Sequence, residues 1–133
     1  MLSKQGNDAM KLLQSMPNLL SLHITGSHDY KDKLESLHFQ DGWFMNLKEL
    51  VILSFLSLKH ILVDKGALGS LKKLNLWVIP QLKRLPTGIQ HLHKLEFLYL
   101  CWMSDELKQS IVPNEGKEHW IFKQVPSVYF INF

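Results

Sequence analysis

Leu68-x-x-Leu71-x-x-Leu74-x-Leu76 is followed by Leu92-x-x-Leu95-x-x-Leu98-x-Leu100, with leucine at the same four places in both. The frame also fits two earlier windows, Met16-x-x-Leu19-x-x-Leu22-x-Ile24 and Phe44-x-x-Leu47-x-x-Leu50-x-Ile52. The third anchors fall at 22, 50, 74 and 98, so the steps are 28, 24 and 24 residues. In the Leu-x-Leu end of each window, side chains alternate across an extended backbone. Leu22 and Ile24, Leu50 and Ile52, Leu74 and Leu76, and Leu98 and Leu100 therefore face inward. The residue between each pair faces the open side.

A period in this range with this internal spacing is the mark of leucine-rich repeats. The fold expected is an α/β solenoid, with short parallel strands on the concave face and irregular or 3₁₀-like return segments. About four repeats plus a partial N-terminal one occupy 1–103. A C-terminal cap, made of a short helix and an aromatic tail, occupies 104–133. The return series Phe55, Leu58, Ile61 and Ile79, Leu82, Leu85 advance by three, which suits an irregular or 3₁₀ path. Pro80 and Pro86 argue against a regular helix there.

The first return segment is longer by four residues (28 against 24), and its stretch from Gly26 to Lys33 reads as a polar surface insertion. Leu34, Leu37 and Phe39 restore apolar spacing, and Gln40-Asp41-Gly42 reads as a turn. After Leu100 the rhythm stops. Ser104 is placed to cap a helix from Asp105 to Ile111, ended by Pro113-Asn-Glu-Gly116. The tail from His119 to Phe133 is aromatic and β-prone, suited to covering the open end of the last repeat. Lys11 to Ser15 reads as the second half of a missing repeat, so the expectation is a C-terminal piece of a longer solenoid whose first strand leaves an edge prone to association.

Composition narrows the function classes. The chain has 133 residues, 46% of them apolar, enough for one packed domain. Its formal charge is only +3, and its basic pairs Lys72-Lys73 and Lys83-Arg84 are offset by nearby acids, as on a solvated face rather than a nucleic-acid stripe. One cysteine, Cys101, rules out an intrachain disulfide and fits a reducing compartment. With no signal-peptide core and no apolar run long enough for a bilayer, the sequence reads as intracellular and soluble.

No catalytic or metal constellation is legible. His91-x-His93 shares a face, but zinc needs three or four ligands and none accompanies the pair, so loop histidines are expected. Cys101, expected on the open face beside Tyr99 and Trp77, has no base near it in the pattern. There is no phosphate loop of the Gly-x-x-x-x-Gly-Lys-Ser/Thr type. The expectation is a non-enzyme with no cofactor and no metal.

The open face is the candidate site. Parallel stacking makes rows of equivalent positions: Ser21, Glu49, Lys73, Phe97; His23, Val51, Asn75, Tyr99; and Thr25, Leu53, Trp77, Cys101. The binding face read from these rows is His23, Glu49, Val51, Lys73, Asn75, Trp77, Phe97 and Tyr99. Aromatic residues among a few polar groups are the composition of interface hot spots. The competing reading is that the tail or another domain covers some of them.

The run Leu71-Lys-Lys-Leu74-Asn-Leu76-Trp-Val-Ile-Pro-Gln-Leu82-Lys-Arg-Leu85-Pro86-Thr-Gly88-Ile89-Gln-His-Leu92 resembles the last repeats of plant intracellular disease-resistance receptors. These are nucleotide-binding, leucine-rich-repeat (NLR) proteins with an N-terminal coiled coil. Gly66-Ala67-Leu68, Met103-Ser-Asp-Glu-Leu107, His119-Trp120 and Val125-Pro126-x-Val128 fit the same pattern. The chain departs from it at Ile79, where the family often has Cys or Asn. The resemblance implies the recognition and autoinhibition region of an immune receptor, as a fragment or truncated homologue without the nucleotide-binding domain. It implies a protein partner: a pathogen effector, a guarded host protein, or the receptor's own nucleotide-binding domain. It also implies a cytoplasmic location, peripheral to the inner face of the plasma membrane in a full-length parent. The alternative function is a leucine-rich-repeat adaptor, such as a ubiquitin-ligase substrate receptor or a signalling scaffold.

Overall fold

A computed structural model describes residues 10–14, 16, 18–26, 33–112 and 116–131. Its main feature is one parallel sheet built at the positions where the Leu-x-Leu motif recurs. β1 (Ser21–Thr25), β3 (Glu49–Leu53), β5 (Lys73–Ile79), β6 (Phe97–Met103) and β7 (Ser127–Ile131) lie in the order β1-β3-β5-β6-β7. The inward rows run Leu22, Leu50, Leu74, Leu98, Val128 and Ile24, Ile52, Leu76, Leu100, Phe130. Each entry into a strand repeats one backbone device. The carbonyl of Leu20 accepts from both Lys48 and Glu49, that of Lys48 from Lys72 and Lys73, and that of Lys72 from Glu96 and Phe97.

The strands also share a kink at or near their C-terminal ends. Ser54, Val78 and Trp102, spaced by 24 residues, all adopt a left-handed backbone, with φ of 60°, 55° and 58°. That conformation costs a non-glycine residue roughly 1–2 kcal/mol. At Val78 and Trp102 the kink falls inside the strands, since Ile79 and Met103 still pair beyond it.

The return path holds β2 (Ser36–Phe39) and β4 (His60–Val63), which pair in parallel as a second sheet behind the first. Leu37, Phe39, Ile61 and Val63 point into the core from it. Apolar residues at alternate positions suit these segments to a half-buried strand once the two turns pair. Thr87 continues this sheet as a single bridge to Leu62, and Ile89–His91 forms the 3₁₀ turn expected of a return segment. Gly88, at φ 97°, is required before that turn, because a Cβ there would collide with the Val63 carbonyl.

The core between the two sheets is entirely aliphatic and aromatic; among the described residues no polar or charged side chain is buried and no buried polar side-chain atom lacks a partner. Ile79 is fully buried where a polar ladder would otherwise run. The C-terminal end is closed by α1 (Asp105–Ile111), α2 (Ile121–Gln124) and β7. Ser104 caps α1 by accepting from the Leu107 N–H at 3.1 Å, while its own hydroxyl donates to the Leu82 carbonyl at 2.9 Å. Glu118 accepts from the Leu85 N–H, and Gln124 donates to the Ile89 carbonyl, which ties the last segment to the third return path.

The insertion expected at Gly26–Lys33 lies, for residues 27–32, outside the described residues, as does 113–115 of the segment expected to end α1. The first window is the least covered. Met10 to Leu13 form a helical turn whose Met10 is buried, but Leu12, Met16 and Leu20 are exposed and Leu22 is only half-buried. Cys101 departs from expectation: it is buried, not open, because Trp77 of β5 and Ile131 of β7 flank it in register.

Candidate functional site on the concave face

The register aligns the open-face residues as parallel stacking dictates. Ser21, Glu49, Lys73, Phe97 and Ser127 form one row; His23, Val51, Asn75, Tyr99 and Tyr129 the next; and Thr25, Leu53, Trp77, Cys101 and Ile131 the third. All eight sequence-derived candidates thus lie on one surface. They separate into two halves with different chemistry.

The half nearest β1 is polar and centred on Glu49. Its carboxylate accepts from the Ser21 hydroxyl at 3.0 Å, and His23 Nε2 lies 3.5 Å away. Lys73 Nζ approaches the other oxygen at 3.9 Å. These groups are solvent-exposed to partly exposed, so each pairing contributes about 0–1 kcal/mol.

The half nearest β7 is aromatic. Phe97 and Tyr99, two residues apart on β6, stack with centroids 6.3 Å apart and planes 10° apart. Tyr99 stacks in turn on Tyr129 of β7 at 4.9 Å and 11°. Lys73 Nζ lies 5.6 Å from the Phe97 ring centre, joining the two halves by a cation–π contact. Trp77 stands in the neighbouring row, 41% exposed, and Tyr129 is 44% exposed. Large, rigid, half-covered rings with few torsions to freeze are well suited to anchoring a partner.

Tyr129 and Ile131 are the residues that the repeat pattern left out. The signal was present: Phe122-x-x-Val125-x-x-Val128-x-Phe130 has the spacing of the Leu92 window, with no leucine in it. The tail therefore adds a fifth strand to the face and covers one side of Tyr99, while Trp77 and Tyr129 remain open.

His23 finds only the shared Glu49 as an acidic partner. Burial pushes the Cys101 thiol above its usual range, away from the reactive thiolate. His91 and His93 lie away from this sheet, at the end of the 3₁₀ turn, half-buried and exposed respectively. Among the described residues no group of three or more His, Cys, Asp or Glu is arranged to hold a metal ion, and no helix is long and apolar enough to cross a membrane.

Comparison with known proteins points one way. The chain is 31% identical over 91 residues, 68% of its length, to the probable disease resistance RPP8-like protein 4 of Arabidopsis thaliana. It is 26% identical to disease resistance protein RPP8 over 94% of its length, and 27% identical to disease resistance protein RPM1 over 95%, both from the same plant. The matched segment spans only 10% of the first of these relatives and 13% of the other two. No protein-family model matches the chain, and no solved structure matches it.

Proposed function

The chain is homologous to the leucine-rich-repeat region of plant coiled-coil, nucleotide-binding disease-resistance proteins, and from that premise we propose that it is a protein-recognition module of an immune receptor. Its partner is a pathogen effector, a guarded host protein, or the nucleotide-binding domain of the receptor itself. The observation that carries this reading is the aromatic half of the concave face. Phe97, Tyr99, Tyr129 and Trp77 stand side by side on a rigid sheet, with Lys73 and Asn75 next to them. The inward leucines hold the sheet, so the outward residues are free to match a partner without loss of fold. The module works by binding and not by catalysis, in line with the single shared carboxylate at His23 and the covered Cys101 thiol.

Trp77→Ala and Tyr99→Ala are each expected to weaken the partner's binding by about 2 kcal/mol or more. Isothermal titration with a partner captured by the full-length receptor checks this. Unchanged affinity in both variants, with circular dichroism intact, removes this face from consideration. The same variants in a cell-death assay separate the two roles. Loss of the response identifies recognition, and a response without the pathogen identifies autoinhibition.

A further inference from the structure

Behind the concave sheet, β4 and the third return path border a half-open cavity of about 310 Å³. Thr87 is tied to β4 on one side: its N–H donates to the Ile61 carbonyl at 2.8 Å, and its carbonyl accepts from the Val63 N–H at 2.7 Å. The chain from Gln81 to Leu85 forms the opposite wall. Lys59, His60, Lys83 and Arg84 all line this space, and no carboxylate does. Buried Ile61, Leu82 and Leu85 supply its apolar floor.

Of the three cations, Lys59 and Lys83 have carboxylate partners. Glu35 reaches Lys59 at 3.4 Å and Glu106 reaches Lys83 at 2.9 Å, each from outside the cavity lining. Both pairs are at least half exposed, so they are weak and yield readily to a stronger anion. A lysine ammonium has three donors, so Lys83 keeps two beyond the one given to Glu106. No ion pair forms at Arg84 among the described residues, which leaves its planar fork, the geometry that suits phosphate oxygens, uncommitted. Cations around a low-dielectric floor concentrate their field within the hollow.

We propose that this cavity is a phosphate-ester site, taking a compact ligand with more than one phosphate, held by Lys59, Lys83 and Arg84 with the Thr87 hydroxyl at its rim. A concave hollow of this size fits a phosphorylated ring better than an extended chain. The ligand chemistry is shared by a free polyphosphate and by a phosphoinositide headgroup. The site lies on the opposite side of the molecule from the aromatic face, so it stands independently of the recognition reading.

The test is titration calorimetry of the full chain with inositol trisphosphate, beside sedimentation with phosphatidylcholine vesicles carrying a tenth part of phosphatidylinositol bisphosphate. Saturable binding of the free probe that weakens with added salt is expected. The double variant Lys83→Gln, Arg84→Gln should lose at least tenfold in affinity, and Lys59→Gln severalfold. Lys94→Gln, an exposed lysine outside the cavity, should bind as the unaltered chain does. Binding to the free probe alone identifies a soluble ligand; binding to vesicles as well, with the same dependence on Arg84, identifies a headgroup. No heat with the trisphosphate, equal binding by the double variant, or equally tight binding of a polyglutamate peptide would overturn the proposal. Unchanged circular dichroism separates these outcomes from a loss of fold.

Discussion

Leu22 and Leu98 occupy the same place in their repeats, yet Leu98 is fully buried and Leu22 is not. The difference comes from the neighbours. β6 lies between β5 and β7, with α1 and α2 closing its end, whereas among the described residues β1 has a strand on one side only. The same contrast governs the open face. Near β1 the outward residues are polar and satisfy one another around Glu49; near β7 they are rings stacked across two strands. In a solenoid an anchor's contribution is set by the turn stacked against it more than by its own identity.

The sharpest way to break this comparison is a pair of truncations. Leu98→Ala should cost about 2–5 kcal/mol, as deletion from a closed core does. Leu22→Ala should cost roughly 1 kcal/mol or less, because its side chain is already partly in water. Urea denaturation of both variants measures the gap, and equal costs would mean that the two ends are alike. A smaller effect is expected at the closed end itself. Ser104→Ala removes both the acceptor for the Leu107 N–H and the donor to the Leu82 carbonyl, for a loss of about 1–2 kcal/mol by the same assay.

The smallest effect lies on the outer sheet, towards the β1 end. There His38 Nε2 sits 2.8 Å from Asp64 Oδ1, and the hydrogen bond from His38 holds the Asp64 carboxyl below its usual range. A carboxyl lowered in the folded state contributes stability above its unfolded value. That contribution fades as pH falls through the lowered folded value. Carbon-detected titration should show Asp64 protonating at lower pH than an ordinary aspartate, and His38→Ala should move it back up. No movement would separate the two groups.

How far the sequence alone reached depended on whether leucine carried the signal. The rows from Ser21 to Phe97, His23 to Tyr99 and Thr25 to Cys101 follow from period and alternation, and the register reproduces them. Strands β2 and β4 were harder to read. Phe55, Leu58 and Ile61 advance by three, a spacing equally compatible with a 3₁₀ path, and only pairing between neighbouring turns makes Ser36–Phe39 and His60–Val63 extended. The tail read as a β-prone cover, but not as a further repeat strand, because valine and phenylalanine stand where earlier repeats have leucine, at a step of 30 residues (98 to 128). The burial of Cys101 was missed for the same reason: its cover, Ile131, is set by the register of that strand. The left-handed residues Ser54, Val78 and Trp102 have no glycine to announce them, since tertiary closure overrides local preference there.

The claim on which the fold and the binding face both depend is that the tail completes the concave sheet as its fifth strand. Proton nuclear Overhauser contacts between the rings of Tyr99 and Tyr129, with a cross-strand contact from Leu98 to Val128, test it most directly. The account predicts both contacts, with slow exchange of the Ser127 amide bonded to the Glu96 carbonyl. A Tyr129 ring without contacts to Tyr99 and a fast-exchanging Ser127 amide would contradict it.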